Sequence, residues 1–249
     1  LKPKQLAAYH GRRVNLSALA RSCGLCYQTA RKHLLALENT GVLRLLRPLG
    51  PGGQKRAAPV LYLRDLRLLG LLAAQQLYRT RLVEAVATRV AGAATAGRVG
   101  YLPRPHGGIV EPVVEVPTAA GPALVGFAFC ADPLPRRRSW ATLSRVQRLG
   151  LLRQGFVLYQ GNRAFFSAAR VAVVPDAAFL GEYAEWMAAA LDLSPKALQQ
   201  LMRRCNDRAA AAVQASSGGR PPPGAGLLRG QVDTRAARRI VCPPCTGSL

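Results

Sequence analysis

The sequence predicts an α+β chain in four parts: a helix-turn-helix with a β-hairpin wing over residues 1–70, a small α/β domain over 71–181, a helical extension over 182–215 and a flexible tail over 216–249. Three observations predict it. An apolar pattern of helical period is broken at Gly24 and again at Gly41. The period changes to short Val-rich runs after Gly97, and from Ser216 the chain turns Ser/Gly/Pro-rich with nothing to pack.

The first helix is capped by Asn15 or Ser17, side chains that accept from free N–H groups, and carries Leu16, Leu19, Ala20 and Cys23 on one face. Gly24 supplies the turn. A second helix runs from Tyr27 to Thr40, with Ala30, Leu34 and Leu37 inward and Gly41 as its stop. Two β-like runs follow, Val42 to Leu46 and Val60 to Leu63, joined by a Gly-rich basic loop. Helix, tight turn, helix and basic-tipped hairpin describe a winged helix. Residues 68–96 read as helix, with Leu82, Val83, Val86 and Val90 as the apolar stripe. Strand-like runs then appear at Val99–Leu102, Ile109–Val116 and Leu124–Phe129, a helix at Ser139–Leu149, and strands at Phe156–Tyr159 and Val171–Val174. Residues 182–212 are helical, with Tyr183, Trp186, Met187, Ala190 and Leu191 on one side and a fresh start at Ser194-Pro195.

Charge narrows the partner. The formal net charge is +23, and residues 1–70 hold 13 basic side chains against 2 acidic ones. A polyanion suits this balance, and double-stranded DNA suits the predicted motif. The second helix would present Tyr27, Gln28, Arg31 and Lys32 to the major groove. There Gln pairs with adenine, Arg with guanine and Lys with phosphate, while Lys55 and Arg56 at the wing tip suit phosphate or the minor groove. Outward Leu35 and Glu38 fit this surface less well. The longest apolar run, Leu68 to Ala74, is too short to span a bilayer, and the first residues carry no signal-peptide pattern. A cytoplasmic location with no membrane contact follows as the expectation, and the initial Leu suggests a fragment or trimmed product.

The six cysteines include two Cys-x-x-Cys pairs, Cys23/Cys26 and Cys242/Cys245, which lie more than 200 residues apart. The first falls in the helix-turn-helix turn. Small buried cysteines are expected here rather than a zinc site. His10, His33 and His106 have no ligand partners at metal spacing. No metal and no cofactor is therefore expected. No Gly-x-x-x-x-Gly-Lys-Ser/Thr loop occurs to cradle nucleotide phosphates.

Residues 12–72 resemble the segment that follows the motor core in a family of uncharacterised bacterial and archaeal AAA+ ATPases. The likeness is carried by Asn15-Leu16-Ser17-Ala18-Leu19-Ala20, Thr29-Ala30-Arg31-Lys32-His33-Leu34, Leu37-Glu38 and Leu45-Leu46-Arg47-Pro48. A basic pair and Val60-Leu61-Tyr62-Leu63-Arg64-Asp65 before Leu68-Leu69 complete it. The resemblance implies a C-terminal portion whose ATPase core is missing or separately encoded. It also implies a restriction-endonuclease-like fold over 77–180.

That fold hydrolyses phosphodiesters with Mg²⁺, using a helix Glu, a strand Asp and a Glu-x-Lys pair on the next strand. Glu84 sits at the helix position. Glu111 replaces the Asp, with Glu115 as a substitute three residues beyond Pro112, and Phe127 and Phe129 occupy both positions of Glu-x-Lys. No lysine occurs from Ala57 to Pro195. Glu84, Glu111 and Glu115 are then vestigial nuclease positions, and no catalytic residue is expected. The alternatives are a metal-dependent DNA endonuclease that recruits an Arg, and a protein-interaction module docking on an ATPase partner.

Overall fold

The computed structural model describes residues 3–50, 57–65, 74–93, 97–103, 108–192 and 195–217. The wing tip with Lys55 and Arg56, the start of the helix expected at 68–96, His106 and the tail with Cys242 and Cys245 lie outside the described residues.

The N-terminal unit holds α1 (Pro3–Ala8), β1 (Arg12–Arg13), α2 (Leu16–Ser22), α3 (Tyr27–Asn39), β2 (Leu43–Pro48) and β3 (Val60–Leu63). Of the two capping alternatives Asn15 is used: its side-chain oxygen accepts from Ala18 N at 3.0 Å, while Ser17 lies within α2. Gly24 has φ +67°, the left-handed conformation that a side chain disfavours, and so turns α2 into α3. Strands β2 and β3 form an antiparallel hairpin pairing Leu43 with Leu63 and Leu46 with Val60.

The remaining elements are α4 (Ala74–Gly92), β4 (Arg98–Pro103), β5 (Ile109–Thr118), β6 (Gly121–Cys130), α5 (Arg137–Arg148), β7 (Gln154–Tyr159), β8 (Phe165–Phe166), β9 (Ala172–Pro175), α6 (Asp176–Gly181), α7 (Tyr183–Leu191) and α8 (Pro195–Ser217). The fold is mixed α/β. All described strands join one mixed nine-stranded sheet of order β1-β3-β2-β4-β5-β6-β7-β9-β8. Strands β4, β5 and β6 form an antiparallel meander, and β7 and β9 add in parallel to β6.

The sheet runs through the chain position, 70/71, where the sequence suggests a domain boundary. It does so because β2 pairs in parallel with β4, Arg47 opposite Gly100 and Pro48 opposite Tyr101. A Cβ at Gly100 would collide with the Arg47 carbonyl oxygen and lie 2.6 Å from Leu49 Cγ, so only glycine permits this close approach.

Alternation along the strands sends side chains to two faces. Leu43, Leu45, Leu61 and Leu63 pack with Leu19 and Leu34 beneath α2 and α3. Leu46, Val60, Tyr62 and Tyr101 pack with Val83 of α4 on the opposite face. Farther along the sheet, Leu102, Val113 and Val157 meet Leu143 and Val146 of α5. Phe127, Phe156 and Val174 meet Leu82, Phe179, Trp186 and Leu201. Directly paired residues share a face. Arg47 turns toward α3, and its partner Gly100 faces Leu49 of the α5-side core. Helices α2, α3 and α5 therefore cover one face, and α4, α6, α7 and α8 the other. The α4 stripe serves two cores: Leu82, Val86 and Val90 enter the large one and Val83 the junction beneath the hairpin. Among the described residues no helix is long and apolar enough to cross a membrane.

Candidate nucleic-acid interface

Helix α3 is amphipathic because Ala30 and Leu34 recur at a one-turn spacing and are fully buried, with Leu37 packed beside them. That rotation sends Tyr27, Gln28, Arg31, Lys32 and His33 to solvent. Tyr27 is 49 % exposed and Leu35 38 %. The first turns of α3 contain no acid, and Arg31 and Lys32 pair with no acid among the described residues.

Glu38 is the one carboxylate of α3, and it does not face outward unpaired. Arg47 Nη1 and Nη2 donate to Glu38 Oε1 and Oε2 at 2.9 and 2.6 Å, and Leu45 N donates to Oε1 at 3.3 Å. This two-pronged bond neutralises Glu38 and ties α3 to β2. A groove of about 1170 Å³ opens beside α3, lined by Leu16, Tyr27, Arg31, Leu35, Arg47 and Arg98 among others. The surface that α3 offers is basic at its first turns and partly apolar where Leu35 meets the groove.

The three carboxylates at nuclease-like positions do not converge. Glu84 receives Arg44 Nε at 2.7 Å on Oε1 and Arg64 Nε at 2.7 Å on Oε2, which fastens α4 to the hairpin. Glu111 is buried and takes Arg79 Nη2 at 2.5 Å. Burial pushes the Glu111 carboxyl above its ordinary range, and Arg79 partly offsets this. Glu115 takes Arg98 Nη2 at 2.5 Å on the other face of the sheet. Among the described residues no cluster of three or more His, Cys, Asp or Glu side chains could hold a metal ion. Phe127 is buried in an aromatic core, its ring centroid 5.8 Å from Phe156 and 5.5 Å from Phe179.

A family model described as a domain of unknown function, DUF8612, matches residues 4–78. Neither the curated proteins nor the solved structures contain a match. The DUF8612 match begins inside α1 and ends inside α4, so it covers α2, α3 and the β2–β3 hairpin but not the meander.

The cysteines of that segment differ from expectation. Cys23 is half-buried and donates to Gln5 Oε1 at 2.7 Å, but Cys26 is exposed. It is the residue before α3, on the outside of the turn, where a hydrogen bond with Thr29 lowers its thiol pKa. Cys130 and Cys205 are buried, as small apolar side chains.

Sequence reasoning missed the polar seam beneath the hairpin. His10 is buried: Leu63 N donates to its Nδ1 at 3.1 Å, and Thr80 Oγ1 lies 2.8 Å from its Nε2. Arg13 is a second omission. Its guanidinium lies 5.6 Å over the Tyr101 ring and donates to Gly108 O at 3.2 Å, linking β1 to the meander. The only sequence signal was an Arg in a two-residue edge strand, which has no measurable period.

Proposed function

We propose that this chain is a duplex-DNA-binding module in which α3, the second helix of a winged helix-turn-helix, lies in the DNA major groove. The observation that carries the reading is the outward set Tyr27, Gln28, Arg31 and Lys32 on the first turns of α3, with the nearby carboxylate Glu38 neutralised by Arg47. Binding is electrostatic capture by the basic face, with limited base reading by Gln28 and Arg31. Lys55 and Arg56 would add the wing contact.

The α4–β4–β5–β6–α5–β7 order supports the further reading of the second half as a nuclease-like domain without nuclease activity. Glu84, Glu111 and Glu115 are each engaged by an arginine of a different element, and Phe127 packs as core where a metal ligand would stand. With the AAA+ resemblance, the chain reads as the C-terminal part of an ATPase whose motor is missing or separate. The apolar lining of the groove by Leu16 and Leu35 favours a second reading, in which α3 docks on that ATPase partner instead.

Fluorescence anisotropy of the full chain on a 20-base-pair duplex, across a salt series, tests the DNA reading. Each phosphate contact contributes about 0.9 to the log–log salt slope. A slope of several units that falls in Arg31→Ala/Lys32→Ala supports it. Absence of binding at low salt, or equal binding by the variant, transfers the bet to the protein partner.

A further inference from the structure

The two faces of the sheet differ in how their charges mix: acids stand among the basic side chains of the α4/α6/α7/α8 face, and few stand on the face shared by α3 and α5. On the α4/α6/α7/α8 face stand Glu84, Glu111, Glu182, Glu185, Asp192 and Asp207. On the face shared by α3 and α5, Glu38 and Glu115 are both spent in ion pairs with Arg47 and Arg98. Helix α5 contains no acid. Its buried positions, Leu143, Ser144 and Val146, fix its rotation, so Arg137, Arg145 and Arg148 fall along one exposed stripe with Arg138 beside it. None of these four pairs with an acid among the described residues; Arg148 Nε reaches only the Ser144 carbonyl, within its own helix. Asp132, in the loop before α5, is the nearest carboxylate in sequence and lies 4.0 Å from Cys130 Sγ.

We infer that α5 is a second phosphate-binding surface, and that one DNA duplex lies across the face shared by α3 and α5. The inference rests on the DNA reading of α3. Its geometry comes from the sheet. Helix α5 packs over β6 and β7, three and four strands away from β2, which carries α3. At about 4.8 Å per strand the offset is roughly 14–19 Å, close to half a helical turn of B-DNA at about 17 Å. A duplex held by α3 in its major groove would therefore bring backbone phosphates over the α5 stripe. Arginine suits that contact, since its planar fork bonds phosphate oxygens in pairs and its charge is permanent. These contacts position the duplex and read no sequence.

The test uses the full chain and a 20-base-pair duplex in an anisotropy salt series with three variants. Arg137→Gln/Arg138→Gln/Arg145→Gln/Arg148→Gln removes the α5 charge from exposed positions. Arg81→Gln/Arg89→Gln/Lys196→Gln/Arg203→Gln removes the same charge from exposed positions of the opposite face. Arg31→Ala/Lys32→Ala tests α3 alone. The α5 variant is expected to lower the salt slope by about 2–4 units and to weaken binding at least about tenfold at 0.1 M salt. The opposite-face variant is expected to leave the slope unchanged. Equal losses from the two quadruple variants, or no loss from the α5 variant, would overturn the α5 surface. If only the α3 variant loses affinity, the DNA reading survives and the α5 surface falls. Loss from the α5 variant with none from the α3 variant would overturn both the groove placement of α3 and the duplex shared by α3 and α5.

Discussion

His10 makes the N-terminal unit acid-sensitive at a predictable pH. Thr80 Oγ1 donates to Gln76 O at 2.7 Å, so its single proton is committed and it accepts from His10 Nε2–H. Nδ1 accepts from Leu63 N. The imidazole is thus neutral with both nitrogens used, and a second proton on Nδ1 would oppose the Leu63 N–H. Burial first, and the nearby Arg79 charge second, lower its pKa from 6.5 to about 4. Between those values the unfolded chain binds the proton that the folded chain refuses, so stability is complete above pH 6.5 and falls as the pH drops toward 4. The shift corresponds to about 3 kcal/mol in full, of which about 2 kcal/mol is lost between pH 7.5 and pH 5. Urea unfolding of the full chain at pH 7.5, 6 and 5 measures this against His10→Asn, whose side-chain oxygen can still accept from Leu63 N but does not titrate. The wild type should lose about 2 kcal/mol more than the variant over that range. Parallel curves for the two proteins would refute the buried neutral histidine.

Arg79→Ala should destabilise the protein by about 3–5 kcal/mol, because it strands the Glu111 carboxylate, whose side chain is 2 % exposed. Adding Glu111→Leu should recover much of that loss in thermal melts, which a purely local packing defect would not allow. Gly100→Ala should lower the melting temperature by several degrees, as the β2–β4 pair must separate to admit the methyl group, and hydrogen exchange should rise at Tyr101 and Leu49, whose N–H bonds to Tyr101 O. Glu84→Gln should cost about 1–3 kcal/mol, since Arg44 and Arg64 lose their shared carboxylate, and should leave DNA affinity unchanged in the anisotropy assay.

The α2–turn–α3 segment was legible in the sequence because each of its signals is local. The Asn15 cap, the Gly24 turn and the inward spacing of Ala30 and Leu34 all act within one helix, and the structure matches them within a residue or two. The meander and α5 were legible for the same reason: a Val-rich run bounded by Gly or Pro needs no distant partner to be recognised. What escaped was everything set by pairing across the fold. The β2–β4 junction depends on one glycine opposite Arg47, and nothing near Gly100 in the sequence marks that approach. The two-residue strands β1 and β8 are too short for a period, and α6 follows β9 without a break. At the candidate interface, Glu38 looked like an obstacle because its Arg47 partner stands on the next strand, nine residues away. Glu84 and Glu111 looked like remnants of a metal site, yet their positions also suit arginines from the hairpin and from α4. A sequence read one element at a time cannot distinguish these two uses of a carboxylate.

The most direct test of the account is photo-crosslinking from the first turn of α3. A benzophenone side chain replaces Tyr27, which is 49 % exposed, and in a second protein it replaces the exposed Arg81 on the opposite face. Both full-length proteins are irradiated with a 20-base-pair duplex at a concentration where anisotropy shows them bound. The account predicts a covalent DNA adduct from position 27 and none from position 81. Equal adducts from both positions, or none from position 27 while the duplex is bound, would contradict the placement of α3 in the groove.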